Sequence, residues 1–179
     1  MKDGNRKVNV QIRRVPGEYL REAEEIVRTV AHRMTRKEWF VAESYDEFER
    51  WMTADRGLLY IARDLDSGKA AGMFFAVLPG MDPENLGYDI GMKETGLEQV
   101  ALMDTAAVLP EFRGMGLQHR MMQEAERDLK RMGYRYLMCT VHPENRFSRE
   151  NVRRQGYQHM MTKGKYGGYL RDIWMKELR

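Results

Sequence analysis

The chain has 179 residues, of which 42% are hydrophobic and 32% charged. This length suits one domain with a substantial core, and the composition excludes an intrinsically disordered chain. The net charge of +3 is too small for a dedicated nucleic-acid binder. No apolar run approaches the ~20 residues of a membrane-spanning helix, and no secretion signal follows residues 1–7. One cysteine, Cys139, excludes an internal disulfide and a cysteine-rich zinc cluster, so we expect a cytoplasmic protein with no membrane partner and no metal site.

The first half of the chain predicts strands and two helices. Apolar alternation and turn residues predict three strands, over 8–13, 58–62 and 71–78. A 3.6-residue apolar period predicts a helix that opens at Pro16 and runs to about Met34. Ser44 and Glu47 have the spacing of a capping box and predict the start of a second, short helix. Residues 79–99 carry four glycines and two prolines, which predicts a long loop with at most one helical turn.

The second half is organised around a nearly apolar segment. Residues 100–108 predict a central strand covered on both faces, with Asp104 as its one charged residue. A helix is predicted to follow, and its buried face consists of Leu117, Met121, Ala125, Leu129 and Met132. Gly133 is expected to end that helix. The remaining elements are predicted as a strand over 136–141, a basic helix over 145–156 and strands near 157–161 and 169–175.

These elements predict one α/β domain over residues 1–179, with a mixed sheet of about seven strands flanked by about four helices. Because a helix separates the strands 100–108 and 136–141, we expect those two to pair in parallel. No internal repeat or linker divides the chain.

The turn after the central strand is typical of a phosphate or pyrophosphate site. Gly114 and Gly116 allow the backbone to turn tightly and to approach a ligand closely. The first amides of the next helix lack intrahelical partners, and the helix dipole adds partial positive charge there. A P-loop would require Gly-Lys-Ser/Thr at this point, and a dinucleotide fingerprint would require a third glycine where His119 stands.

Residues 108–118 read Val-Leu-Pro-Glu-Phe-Arg-Gly-Met-Gly-Leu-Gln. They resemble the Val-x-Pro-x-x-Arg/Gln-x-x-Gly-x-Gly/Ala motif of the GNAT family of N-acetyltransferases. A second family spacing, an Asn followed by Gly and an aromatic residue, is matched by Asn145, Gly156 and Tyr157. The chain departs from the family at Gln118, where Gly or Ala is usual, and at Val152, where many members carry a tyrosine.

The resemblance implies a sheet that splays between its fourth and fifth strands and takes acetyl-CoA as acetyl-donor cosubstrate. It implies pantetheine and oxyanion contacts through the main chain of Ala106, Ala107 and Val108. It implies pyrophosphate contacts in the turn and first helical turn, at Arg113, Gly114, Met115, Gly116, Leu117, Gln118 and His119. Asn145 and Ser148 are implied to contact the cofactor near the next helix.

Asp104 is the candidate catalytic base. A carboxylate in an apolar strand is costly unless it is paired or functional, and the family often uses an acid on this strand. The alternative is that Asp104 caps a neighbouring element or pairs with an arginine. No general acid is identified, because Tyr157, Tyr166 and Tyr169 are predicted as strand aromatics of the core. We interpret Cys139 as a small buried hydrophobe.

The leading hypothesis is transfer of the acetyl group of acetyl-CoA to a primary amine through a tetrahedral intermediate. The alternatives are an acyl-CoA-binding module without catalysis and, less favoured, a nucleic-acid module that uses the basic helix. The arginines of that helix, which attract the 3′-phosphate of CoA or simply face solvent, are Arg146, Arg149, Arg153 and Arg154. A small-molecule amine is favoured over a protein as acceptor, and a homodimer is left open. The loop 79–99 offers five acids as a candidate surface for a cationic amine, namely Asp82, Glu84, Asp89, Glu94 and Glu98.

Overall fold

The structure, a computed structural model, describes residues 9–179. Its seven-stranded mixed sheet has the order β1-β2-β3-β4-β5-β7-β6. The strands are β1 (Val10–Val15), β2 (Gly57–Asp64), β3 (Ala70–Val77), β4 (Val100–Val108), β5 (Tyr136–Val141), β6 (Gln158–Lys165) and β7 (Tyr169–Glu177). The helices are α1 (Leu20–Arg33), α2 (Tyr45–Thr53), the single-turn α3 (Glu94–Leu97), α4 (Leu117–Arg131) and α5 (Arg146–Arg154). The predicted single α/β domain with a seven-stranded sheet is therefore confirmed.

Helices cover both faces of the sheet, which explains why its central strands are apolar throughout. Helices α4 and α5 pack on one face with side chains such as Tyr60, Phe74 and Leu137. Helices α1 and α2 pack on the other face with Leu59, Phe75 and their neighbours. Successive residues of a strand point to opposite faces, so one apolar strand serves both cores. No helix among residues 9–179 is long and apolar enough to cross a membrane.

Local sequence signals explain most element boundaries. Ser44 and Glu47 form the predicted capping box at the start of α2. The β2–β3 hairpin turns at Gly68, whose φ of +71° suits glycine. The prediction that Met132 lies on the buried face of α4 is wrong: the helix ends at Arg131, and Met132 beyond it is 45% exposed. Val8, predicted to begin the first strand, lies outside the described residues.

The two central strands diverge, as the resemblance implied. Strands β4 and β5 pair in parallel only from Val100 with Tyr136 to Leu102 with Met138. Beyond these residues β4 stays paired with β3, and its edge toward β5 has no strand partner. Both strands continue to their carboxyl ends, so a gap opens between them at that end of the sheet.

A β-bulge at Asp104 accompanies the divergence. Phe75 of β3 pairs with Thr105, and the next residue, Ala76, pairs with Met103, so Asp104 has no partner of its own. The extra residue shifts the alternation of side chains between the two faces of β4. Met103 and Ala106 are three residues apart and would face opposite sides of a regular strand, but here they contact the same core. The bulge therefore takes Asp104 out of the apolar pattern and directs it toward the gap.

Candidate active site

A cleft of about 910 Å³ occupies the gap between the carboxyl ends of β4 and β5. Its walls come from the end of α1 and the loop after it, from β3, β4 and β5, and from the first turns of α4 and α5. Eight of the predicted site residues line it, namely Asp104, Ala106, Val108, Arg113, Gly114, Gln118, Asn145 and Ser148. The splayed strands thus bring the predicted donor residues and the predicted base into one cavity.

The turn before α4 presents a row of free backbone donors. Gly114 and Gly116 have φ values of +78° and +67°, the left-handed region that favours glycine. Within the described residues, the amides of residues 114–119 have no hydrogen-bond acceptor, and the first helical bond into this region runs from the Arg120 amide to the Gly116 carbonyl. The N-terminus of α4 therefore combines unpaired N–H groups with the positive end of the helix dipole.

The remaining predicted donor residues do not place side chains in the cleft. Ala107 and Leu117 are buried in the two cores, and Met115 packs against one of them. Gly116 has no side chain, and His119 lines a separate cavity of about 360 Å³ with Gln123, Arg154 and others. Their predicted contribution is through main-chain groups, and for Met115, Gly116, Leu117 and His119 these belong to the row of free amides.

Helix α5 begins at the cleft, and its arginines are mostly engaged. The Asn145 side chain accepts a hydrogen bond from the Ser148 amide at 3.1 Å, which caps the helix. Arg149 forms an ion pair with buried Asp172 at 3.1 Å. The last two arginines of the helix both bind Glu150. Among the described residues, Arg146 is the arginine of α5 that forms no ion pair.

Asp104 lies on the wall of the cleft, where its side chain is exposed to the cavity although protein surrounds it on the other sides. Burial by the surrounding protein raises the pKa of its carboxyl to about 6, and a hydrogen bond from the Thr105 hydroxyl at 2.9 Å partly offsets this effect. The negative charges of Glu84 and Glu47 raise the pKa further. Asp104 forms no ion pair with a described arginine and caps no helix, so the structure does not support either alternative interpretation. A carboxylate with this pKa is suited to accept a proton near neutral pH.

Three more carboxylates, Glu43, Glu47 and Glu84, lie near enough to Asp104 for charge interactions with it, and the sequence analysis did not assign Glu43 or Glu47 to the site. Burial, together with a hydrogen bond to Glu47, raises the pKa of Glu43 to about 9, so Glu43 is protonated at neutral pH. That hydrogen bond lowers the pKa of Glu47. Glu84 comes from the loop 79–99 and forms an ion pair with Arg50 at 2.7 Å. One sequence signal could have indicated this pair of acids: a capping box requires only Glu47, and Glu43 is a second acid directly before the box.

Other acids of the loop 79–99 are differently placed. Asp89 lies between Lys163 and Lys165, at 2.6 and 2.7 Å, and these cations offset the burial that would raise its pKa, so the pKa is lowered. Its charge is therefore neutralised within the fold. Of the loop acids considered from the sequence, Glu84 is the one whose charge acts on Asp104.

Tyr166 was wrongly predicted as a core aromatic. It lies in the turn between β6 and β7 with a φ of +50°, and 45% of it is exposed. Its hydroxyl is 3.2 Å from the Thr140 hydroxyl, and Thr140 lines the cleft. Although much of the side chain is exposed, the protein around the hydroxyl end desolvates the phenol and raises its pKa to about 12, and the charges of Asp104 and Glu43 add to the shift. The three glycines around it, Gly164, Gly167 and Gly168, were the overlooked sign of a turn.

Neither the other two tyrosines considered from the sequence nor Cys139 supplies the cleft with a general acid or a nucleophile. Tyr169 is also wrongly predicted, since it is 49% exposed, whereas Tyr157 is buried in the core as expected. Val152, at the position of the usual family tyrosine, is buried and lines the cleft. Cys139 is buried as expected, and this raises the pKa of its thiol to about 12, which makes it a poor nucleophile.

Residues 25–157 match the family model of the Acetyltransferase (GNAT) family. The chain belongs to the GNAT family of acetyltransferases. The matched range includes the splayed strands, the turn before α4 and the start of α5. For this GNAT chain the sequence resemblance is therefore confirmed at the level of the family. No curated protein matches the chain.

Solved structures share the GNAT fold at low sequence identity. An N-acetyltransferase from Staphylococcus aureus Mu50 is 18% identical with a TM-score of 0.69, covering 96% of this chain and 99% of its own. The ribosomal-protein-S18-alanine N-acetyltransferase from Escherichia coli is 15% identical with a TM-score of 0.69, covering 94% and 93%. The yncA protein of Salmonella typhimurium, assigned as an acetyltransferase and solved with its cofactor acetyl-CoA, is 15% identical with a TM-score of 0.68, covering 96% and 95%.

Proposed function

We propose that this GNAT chain transfers the acetyl group of acetyl-CoA to a primary amine of a small molecule. The observation that supports this most directly is the row of unpaired amides of residues 114–119, at a helix N-terminus that opens on the same cleft as Asp104. A diphosphate fits such a row, because it accepts several hydrogen bonds and its charge is stabilised by the helix dipole. The yncA structure with acetyl-CoA supports this choice of donor.

The donor half of the cleft supplies backbone groups. When bound, acetyl-CoA supplies a thioester whose carbonyl carbon is open to attack. Residues 114–119 would hold the diphosphate, and the free edge of β4 at residues 106–108 would pair with the pantetheine arm as an added strand does. Main-chain N–H groups on the same edge would stabilise the oxyanion of the tetrahedral intermediate. Arg113, which lines the cleft, adds positive charge near the phosphates.

The acceptor half supplies carboxylates. A primary amine is protonated at neutral pH, and the charges of Asp104, Glu47 and Glu84 favour binding of that cation. Asp104, with a pKa of about 6, would take the proton in a pre-equilibrium that lies toward the ammonium form, because a primary amine has an ordinary pKa of about 10. The neutral amine would attack the thioester carbon, which draws this equilibrium forward, and the carbon–sulfur bond would break as the intermediate collapses.

Protonation of the departing thiolate does not require a tyrosine of this chain. Val152 has no proton to give, and a thiol has an ordinary pKa of about 8.5. Transfer from the Tyr166 phenol, with a pKa of about 12, would therefore be uphill. We infer that the thiolate leaves as such or is protonated by water, and that Tyr166 helps to position the acceptor.

The second candidate function is an acyl-CoA-binding module without catalysis, which Val152 favours. The two are separated by measuring CoA affinity by calorimetry and free thiol release with acetyl-CoA against a panel of amines that includes diamines, amino sugars and amino acids. Thiol release that depends on an amine supports the transferase. Tight binding without turnover on any amine supports the binding module, and absence of CoA binding contradicts both.

A further inference from the structure

Phe147 is an exposed aromatic residue at the mouth of the cleft. It lies in the first turn of α5, and 85% of it is exposed, whereas the next most exposed large apolar residue, Leu170, reaches 57%. It packs against neither core and makes no ring contact with another described aromatic. Leaving a phenylalanine in water forgoes stabilisation that burial would give, so the fold does not account for this side chain.

The position of Phe147 relates it to the donor. It lines the cleft together with Gly114 and Gln118 on one side and Asn145 and Ser148 on the other. The diphosphate proposed for the amides of residues 114–119 is joined to adenine by a single ribose. The base must therefore lie close to that turn. A flat ring with free faces beside a diphosphate site is suited to stack on a nucleobase.

We propose that Phe147 is the stacking platform for the adenine ring of CoA, a contact that rests on the proposed function. Arg146, the α5 arginine without an ion pair in the described chain, directly precedes Phe147. Its charge is available to the 3′-phosphate of the same adenosine. Comparing CoA with 3′-dephospho-CoA, which lacks that phosphate, therefore separates the contribution of charge from that of stacking.

The test measures binding of CoA, 3′-dephospho-CoA and 4′-phosphopantetheine by calorimetry to the wild type, Phe147→Ala and Phe147→Trp. We expect Phe147→Ala to weaken CoA and 3′-dephospho-CoA by about tenfold, and to leave 4′-phosphopantetheine unchanged because it has no base. Phe147→Trp should bind both adenine ligands at least as tightly as the wild type. Its tryptophan emission should be quenched by CoA more than that of the wild type.

Leu170→Ala is the matched control, because it removes another exposed apolar side chain that does not line the cleft. It should change none of the three affinities. Unchanged CoA binding in Phe147→Ala, or an equal loss for 4′-phosphopantetheine, would overturn the stacking role while leaving the proposed function intact. Failure of the wild type to bind CoA at all would overturn the proposed function and the stacking role with it.

Discussion

The two halves proposed for the cleft, one for the donor and one for the acceptor, are built from different parts of the polypeptide. The donor half consists of backbone groups from one continuous stretch, residues 114–119, and from the free edge of β4. The acceptor half consists of side chains from separate segments, namely Glu43, Glu47, Glu84, Asp104 and Tyr166. Backbone groups need only a particular local conformation, whereas an acceptor site needs particular side chains brought together by the whole fold. The difference explains why the sequence identifies the family but does not identify the amine that accepts the acetyl group.

The halves also differ in charge. Arg113 lines the cleft beside the N-terminus of α4, whereas the charges of Glu47 and Glu84 act on Asp104. Arg33 and Arg36 also line the cleft, but they form ion pairs with Glu111 and Glu144. An anionic donor and a cationic acceptor would thus be drawn to different ends of one cavity. Changes in one half should therefore affect one substrate and spare the other.

The largest effect is expected for Gly116→Asp. A carboxylate at the N-terminus of α4 would compete for the free amides and repel the diphosphate. At a few ångströms and an effective dielectric constant of about 20 the repulsion is about 4 kcal/mol, or about a thousandfold loss of CoA affinity. Gly116→Asn has the same shape without the charge and should lose much less. Gly133→Asp, at the positive-φ glycine that ends the same helix, controls for backbone strain. Retained CoA affinity in Gly116→Asp would refute the placement of the diphosphate.

Asp104→Asn should affect the acceptor half alone. We expect kcat to fall by about a hundredfold, because general-base catalysis typically contributes this much or more, with CoA affinity nearly unchanged. Glu98→Gln, an exposed acid of the neighbouring loop, is the matched control and should keep full activity. Full activity of Asp104→Asn together with a changed melting temperature would identify Asp104 as a structural residue.

The pH profile tests the same residue without removing it. Because Asp104 must be ionised to accept a proton and its pKa is about 6, kcat/KM for the amine should rise about tenfold per unit below pH 6 and then level off. Glu84→Gln removes a charge that raises this pKa, so the rise should move to lower pH. In Asp104→Asn this limb should disappear, and its persistence there would assign it to another group.

The sequence predicts the order of the elements, the parallel pairing of β4 with β5 and the tight glycine turn before α4. Periodicity, the capping box at Ser44 and the glycines of the turn are local signals, and each determines local backbone conformation. The bulge at Asp104 could not be predicted, since it is set by pairing with β3 thirty residues earlier in the chain. For the same reason Glu43 and Tyr166 could not be assigned to the site, because only the folded sheet brings these two residues near Asp104.

Glu43→Gln should stabilise the fold. The pKa of Glu43 is raised from 4.5 in the unfolded chain to about 9 in the folded protein. Between these two pH values the folded state holds a proton that the unfolded state has lost, so the free energy of unfolding falls as the pH rises from 4.5 to 9. Glutamine is neutral and can still donate a hydrogen bond to Glu47. Discounting for partial solvent contact, we expect a gain of about 1–2 kcal/mol at pH 7.5, or about 5 °C in melting temperature. Glu49→Gln, at an exposed position of the adjacent helix α2, should show no such gain, and an equal gain there would contradict this explanation.

The smallest expected effect separates a positioning role of Tyr166 from an acid role. If its hydroxyl orients the amine through Thr140, Tyr166→Phe loses one hydrogen bond, and KM for the amine should rise about two- to tenfold with kcat largely retained. If the phenol instead protonated the thiolate, kcat would fall by about a hundredfold or more and the amine KM would stay constant. Tyr169→Phe is the control, because Tyr169 is exposed on the same hairpin and also contacts Arg171. A pKa near 12 favours the first outcome, since a phenol that holds its proton this tightly is a good hydrogen-bond donor and a poor acid.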